Sequence, residues 1–216
     1  MKNEARTPYV LGHGSDEHRR LMLQSRFVGD LTETVFMRAG LAPGMSVLDI
    51  GCGAGDVSFL AAAFVGPTGK VLGIDQSPDS VALASERAKS AGLTNVRFEV
   101  GVLENLQQAG PFDVLVDYGT LDDLSASDRD RYVRNVVPLA RPGARFLLWC
   151  FQWPPRRLDR WLGFMPVAPG EVARRFGNEF TIEQLGGTER PAMRRFIPGY
   201  AAYLMTRHAH KEDQDS

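Results

Sequence analysis

Val47-Leu48-Asp49-Ile50-Gly51-Cys52-Gly53-Ala54-Gly55-Asp56 sets an apolar run, three glycines at alternate positions and the start of an apolar helical pattern in direct succession. The stretch reads as strand, tight turn, helix. Such a turn brings backbone N–H groups and a helix N-terminus to one spot, and glycines there let a ligand approach the main chain without meeting a Cβ. A bound cofactor is expected at that spot.

The spacing narrows the cofactor. A dinucleotide fingerprint places glycines at the first, third and sixth positions, whereas here they fall at the first, third and fifth and the sixth is Asp56, which argues against NAD or FAD. A second strand, Val71-Leu72-Gly73-Ile74-Asp75, again ends in an acid. A glycine turn after one acid-ended strand, with a second such strand after the helix, resembles the class I S-adenosylmethionine (SAM) dependent methyltransferases. The resemblance covers Pro43 to Phe151. It implies an α/β fold: a Rossmann-like, seven-stranded, mostly parallel sheet with helices on both faces and an antiparallel seventh strand. The ubiquinone-biosynthesis-like and thiopurine-methyltransferase-like small-molecule enzymes are the nearest subclasses.

Composition is consistent with this. A chain of 216 residues suits one domain with a sizeable core. With 25 basic and 26 acidic residues and a net charge of −1, it carries no electrostatic footprint for nucleic acid or an anionic membrane. Cys52 and Cys150 fall in unrelated elements without metal-type pairing, so no metal is expected and a reducing cytosol is. Met1 to Pro8 is polar, and no apolar run approaches the ~20 residues that span a bilayer. The expectation is a cytoplasmic protein acting on a small molecule.

Working outward, residues 1–42 are expected to form N-terminal lid helices. Ser15 caps the first, Gly29 interrupts the apolar pattern and Gly40 ends it. The preceding loop holds Tyr9 and His13, candidates for substrate contact if the segment covers the cofactor mouth and plain surface residues otherwise. Residues 43–207 form the core. Helix Asp56–Val65, strand Val71–Ile74, a helix capped by Ser77-Pro78, strand Asn95–Val100, strand Phe112–Asp117, a helix entered through the capping box Ser125/Asp128 and strand Arg145–Phe151 alternate as a parallel sheet requires. A short helix Glu171–Phe176 and strands Thr181–Leu185 and Ala201–Thr206 follow. Residues 208–216 read as a disordered tail.

The resemblance carries roles to particular positions. Asp49, Gly51, Cys52, Gly53 and Gly55 would surround the methionine end of SAM, and Asp75 would accept both ribose hydroxyls. Gln76 and Ser77 would flank the adenine. Val102 and Leu103 would reach it through backbone N–H groups, although the family often has an acid where Val102 stands. Asp117 or Tyr118 would pack against the methionine or adenine side. Beyond it, Tyr118-Gly119-Thr120-Leu121-Asp122-Asp123 should wall off the acceptor. Tyr118 and Asp122 are the candidates to touch it, although two adjacent acids are more often solvated. Trp153, in the irregular stretch after Phe151, is a third acceptor-side candidate.

The chemistry implied is transfer of the methyl group to an oxygen, nitrogen or sulfur nucleophile by in-line displacement, for which positioning matters more than a strong base. One alternative remains open, a SAM-binding sensor or partner subunit without methyl transfer; a polyamine-synthase-like use of the same fold lacks supporting residues. A base-amine methyltransferase motif is absent after the fourth strand, and Gln152 and Trp153 replace the acid that magnesium-dependent catechol methylation needs after the fifth. Hydrolase, zincin and thioredoxin motifs are also absent.

Overall fold

The computed structural model describes residues 32–106, 110–156, 159, 161, 164–188 and 199–209. They form one seven-stranded sheet in the order β3-β2-β1-β4-β5-β7-β6. The strands are β1 (Ser46–Ile50), β2 (Lys70–Asp75), β3 (Val96–Val100), β4 (Phe112–Tyr118), β5 (Ala140–Phe151), β6 (Phe180–Thr188) and β7 (Tyr200–Arg207). The first five pair in parallel, and β7 runs antiparallel between β5 and β6. The expected Rossmann-like sheet with one reversed strand is therefore observed.

Helices cover both faces: α1 over 32–39, α2 (Asp56–Val65), α3 (Pro78–Ser90), α4 (Ala126–Val136) and α5 (Glu171–Phe176). Strand alternation assigns the faces. Leu48, Ile50, Leu115, Phe146 and Leu148 pack with Tyr132 and Val136 of α4 and Phe176 of α5. Val47, Val114, Val116 and Leu147 face Ala61, Ala62 and Val65 of α2 and Phe36 of α1. Phe36 is fully buried, its ring edge-on to Phe64. The segment expected as a lid, residues 1–42, thus contributes its described part to the core. Residues 1–31, with Tyr9 and His13, lie outside the described residues.

Local signals set the helix starts. Ser77 accepts from the Ser80 N–H at 3.2 Å with Pro78 in the first turn, and Ser125 accepts from the Asp128 N–H at 3.3 Å, both as read from sequence. Helix α4 stops at Val136, because Pro138 lacks the N–H that would continue it; a 3-10 turn, Val137–Leu139, follows. Strand β5 begins at Ala140 and passes an irregularity in its pairing with β4 before Arg145. The presumed tail begins ordered, since the His208 N–H bonds the Glu179 carbonyl at 2.9 Å; residues 210–216 lie outside the described residues.

Because β1 pairs with β2 on one side and β4 on the other, the chain's crossovers diverge at β1. The crevice at the carboxyl ends of β1 and β4 is the place where such sheets bind ligands.

Candidate active site

The glycine turn is built differently from the sequence expectation. Its N–H groups do not wait for a ligand: those of Gly51 and Cys52 both bond the Ile74 carbonyl at 2.8 and 2.9 Å, and that of Gly55 bonds the Cys52 carbonyl at 2.9 Å. Gly53 donates to Asp75 Oδ2 at 2.9 Å. The end of β2 therefore takes three of the turn's donors, those of Gly51, Cys52 and Gly53. The three glycines also divide their work. A Cβ at Gly51 would lie 2.2 Å from Thr120 Oγ1, and one at Gly55 would lie 2.8 Å from Phe98, whereas one at Gly53 meets no protein atom within 4 Å. Only Gly53 presents Cβ-free main chain to open space; the other two are glycines because protein packs there.

Charge around the turn is negative. Asp49 is buried behind it and accepts from Ser58 Oγ at 2.5 Å; burial outweighs that bond and pushes its carboxyl up to about 6. At the end of β2, Asp75 accepts from the N–H groups of Gly53 (2.9 Å) and Ser77 (2.8 Å) on separate oxygens. Each oxygen keeps lone-pair capacity for a further donor. Arg87, beside the turn, is spent on the Ala54 carbonyl and Asp56 at 2.5 and 2.7 Å. The Cys52 side chain is buried against Val81 and Phe98, and burial raises its thiol pKa. Gln76 is exposed and Ser77 caps α3. Val102 is half-buried, and the Leu103 side chain joins the apolar floor beside Ile74.

Beyond β4, Asp117 is turned into the protein. It is fully buried, and its oxygens accept from the Thr120 N–H at 2.7 Å and from the Tyr132 hydroxyl. Burial pushes its carboxyl up to about 7 despite both bonds. It holds Thr120, whose hydroxyl donates to the Ile50 carbonyl at 3.1 Å and occupies the space beside Gly51. Both oxygens of Asp117 are thus engaged within the protein. Tyr118 is half-buried and, chiefly through burial, its phenol is pushed up to about 12, which leaves it a neutral hydrogen-bonding group.

Asp122 and Asp123 part company. Asp123 is exposed, whereas Asp122 is buried with one carboxyl oxygen lacking a partner among the described residues. Burial first, then Asp117 and Asp123, push Asp122 up to about 8. Trp153 is buried and donates its indole N–H to Asp159 at 3.0 Å, so it contributes a packed wall with Phe151 and Phe164.

Sequence reasoning missed Arg129. Buried on α4, it donates to the Leu121 carbonyl at 3.0 Å, the Pro166 carbonyl at 3.4 Å, the Met165 carbonyl and both oxygens of Glu171 at 3.3 Å. Glu171 also accepts from the Ala168 N–H at 3.0 Å and Arg175 at 2.8 Å. One guanidinium thereby ties the turn carrying Asp122 to the segment after β5. No group of three or more His, Cys, Asp or Glu residues able to hold a metal ion occurs among the described residues.

A family model described as a methyltransferase domain matches residues 41–157. An arsenite methyltransferase of Halobacterium salinarum is 36% identical over 107 residues, half of this chain and 27% of that protein. A 2-heptyl-1-hydroxyquinolin-4(1H)-one methyltransferase of Mycobacteroides abscessus is 28% identical over 186 residues, 84% of this chain and 71% of that one. The chain thus spans only about a quarter of the first relative's length, and 42% of a demethylmenaquinone methyltransferase of Lactococcus lactis. The crystal structure of magnesium protoporphyrin IX methyltransferase from Synechocystis PCC 6803 with bound SAH superposes with a TM-score of 0.68 at 20% identity, covering 92% of this chain and 90% of that one; at that identity the likeness concerns the fold.

Proposed function

The chain belongs to the methyltransferase domain family, and from that premise we propose that it transfers a methyl group from SAM to a small-molecule acceptor in the crevice beyond β1 and β4. The observation that carries this is the spent set of turn N–H groups: Ile74 and Asp75 take the donors of Gly51, Cys52 and Gly53, and acids flank the remaining opening. A pyrophosphate would find those three donors spent and two carboxylates beside them. SAM carries no phosphate, and its ammonium and sulfonium suit an acidic surround. When bound, it supplies a methyl group on a positively charged sulfur, so the reactive bond belongs to the cofactor.

The chain's own residues do the rest by holding. Asp75, fixed by Gly53 and Ser77, is placed to take the ribose hydroxyls, and Asp49 answers the ammonium end together with the Gly51 carbonyl. The Cβ-free main chain at Gly53 admits the cofactor closely. Gln76, Ser77, Val102 and Leu103 border the adenine. On the acceptor side Tyr118 and Asp122 face the incoming nucleophile and Trp153 backs the wall, while Asp117 and Thr120 fix the turn that carries Asp122. Holding donor and acceptor near contact distance lowers the barrier by several kcal/mol. Tyr9 and His13 remain proposed acceptor contacts, with residues 1–31 proposed as the lid.

A small acceptor rather than nucleic acid is supported by the net charge of −1. No described helix is long and apolar enough to cross a membrane. We place the protein in the cytoplasm, where the free, buried Cys52 and Cys150 would stay reduced. Calorimetry with SAH tests the reading: micromolar binding is expected, weakened at least tenfold in Asp75→Ala. Wild-type protein that does not bind SAH, or a variant that binds it equally well, overturns it. Conversion of SAM to SAH across an acceptor panel excludes the non-catalytic sensor.

A further inference from the structure

Asp122 is 6% exposed, and its Oδ1 has no hydrogen-bond partner among the described residues. A buried polar atom left in that condition costs about 1–3 kcal/mol, so the site is built around an absent donor. The turn Leu121–Asp123 that carries it stands at the carboxyl end of β4, inside the proposed crevice. What approaches it from the described elements is acidic or neutral. Asp117 comes from β4 and Asp123 from its own turn, and β5 supplies the Phe151 N–H and the Cys150 thiol, whose own pKa Asp122 helps to raise. Gly119 leaves room, since even an added Cβ there would stand 4.0 Å from Oδ1. The nearby cation of α4, Arg129, is committed to three carbonyls and Glu171.

These surroundings discriminate among nucleophiles. A phenolate, thiolate or carboxylate would meet Asp117, Asp122 and Asp123 with no free cation beside them among the described residues to favour a second negative charge. A neutral hydroxyl would supply the missing donor but no charge. An ammonium supplies both. It also has to lose a proton before its nitrogen can attack, and a carboxylate at hydrogen-bond reach is the group for that task.

We infer that the acceptor is an amine and that Asp122 binds it and takes its proton. This rests on the methyl-transfer reading above. In the step, the ammonium gives one proton to the Asp122 carboxylate. The freed nitrogen lone pair forms the N–CH3 bond as the S–CH3 bond breaks, and that electron pair stays on sulfur. The product leaves as a methylated ammonium, and the proton on Asp122 passes to solvent.

The test uses the full chain saturated with SAH, titrated calorimetrically with benzylamine, benzyl alcohol and 4-methylphenol, in wild type and in Asp122→Asn. Benzylamine is expected to bind at least tenfold more tightly than benzyl alcohol, with the preference lost in Asp122→Asn while SAH affinity stays within twofold. In SAM turnover with amine acceptors, Asp122→Asn should lose about 10²-fold or more in rate, with partial recovery in Asp122→Glu. An SAH complex in which no amine outbinds its alcohol, or in which Asp122→Asn retains the preference, overturns the inference. Failure of wild-type protein to bind SAH strikes instead at the methyl-transfer reading beneath it.

Discussion

Gly51→Ala tests whether the glycine turn and the turn after β4 are one mechanical unit. Gly51 has φ +72°, a left-handed conformation that costs a residue with a Cβ about 1–2 kcal/mol. The added Cβ would also stand 2.2 Å from Thr120 Oγ1, so the hydroxyl must leave and its bond to the Ile50 carbonyl, 3.1 Å long, is lost. Such a bond is worth about 1 kcal/mol, more where the acceptor is left buried. The single substitution should therefore cost about 3 kcal/mol. Thr120→Ala alone forfeits the bond, about 1 kcal/mol, but removes the obstruction. The double variant should then fall short of the sum of the singles by about 1–2 kcal/mol.

Urea unfolding of the four proteins at constant slope reads this directly, since a loss of about 3 kcal/mol leaves a domain of ordinary stability folded. Gly53→Ala is the control. Its φ of +53° brings the same backbone strain, yet its Cβ meets nothing within 4 Å, so its cost should be about 1–2 kcal/mol and should add to that of Thr120→Ala. If Gly51→Ala and Thr120→Ala add within about 0.5 kcal/mol, Thr120 does not fill the space beside Gly51 and the proposed link between the two turns fails.

Further outcomes follow from the same contacts. Gly53→Ala, mild in stability, should weaken SAH at least tenfold by calorimetry, because the open space its Cβ enters is where the cofactor is placed; unchanged affinity would move the cofactor elsewhere. Asp117 sits near 7 in the folded chain and near about 3.9 when unfolded, so the folded state holds the extra proton between those values. Stability should therefore fall as pH rises from about 4 to about 7, with Asp49 adding to the fall up to about 6 and Asp122 extending it to about 8. A urea midpoint independent of pH over that window, or a slope that Asp117→Asn leaves unchanged, contradicts it. Arg129→Met should cost about 3–5 kcal/mol, the usual penalty for removing one partner of a buried ion pair, while SAH affinity stays within twofold because its bonds lie on the acceptor side. A thermal shift equivalent to under about 1 kcal/mol would show the guanidinium to be dispensable.

What could be read from the chain was what neighbours in sequence decide. The β1 run, its turn and α2 are contiguous, and Asp75 ends a strand whose apolar pattern stands on its own. Ser77 and Ser125 cap helices through residues three positions on. The reversed β7 came with the family resemblance. The acceptor side was written in longer-range contacts. Asp117 resembles a ligand-facing acid at a strand end until Tyr132, fifteen residues later, takes one of its oxygens. Arg129 lies between Asp128 and Asp130 on a strongly polar helix and reads as a surface residue. Its burial depends on carbonyls at Met165 and Pro166, 36 and 37 positions away, which no local pattern announces.

The glycine spacing shows how a small difference in sequence selects the charge of a ligand. In a dinucleotide turn the main-chain donors and helix N-terminus are held for a pyrophosphate. Here the chain folds back so that Ile74 takes two of those donors and Asp75 a third, while Asp56 occupies the first turn of α2 and is answered by Arg87. The partial positive charge of the helix end is thus met by the chain's own carboxylate. With the donors consumed and Asp49 and Asp75 on either side, what the turn still offers is carbonyl oxygen, negative field and bare main chain at Gly53. A ligand that gains from all three carries positive charge and a sugar, and no phosphate. The same strand-turn-helix outline therefore serves opposite ligands according to where the first strand's neighbour places its terminal carbonyl and carboxylate.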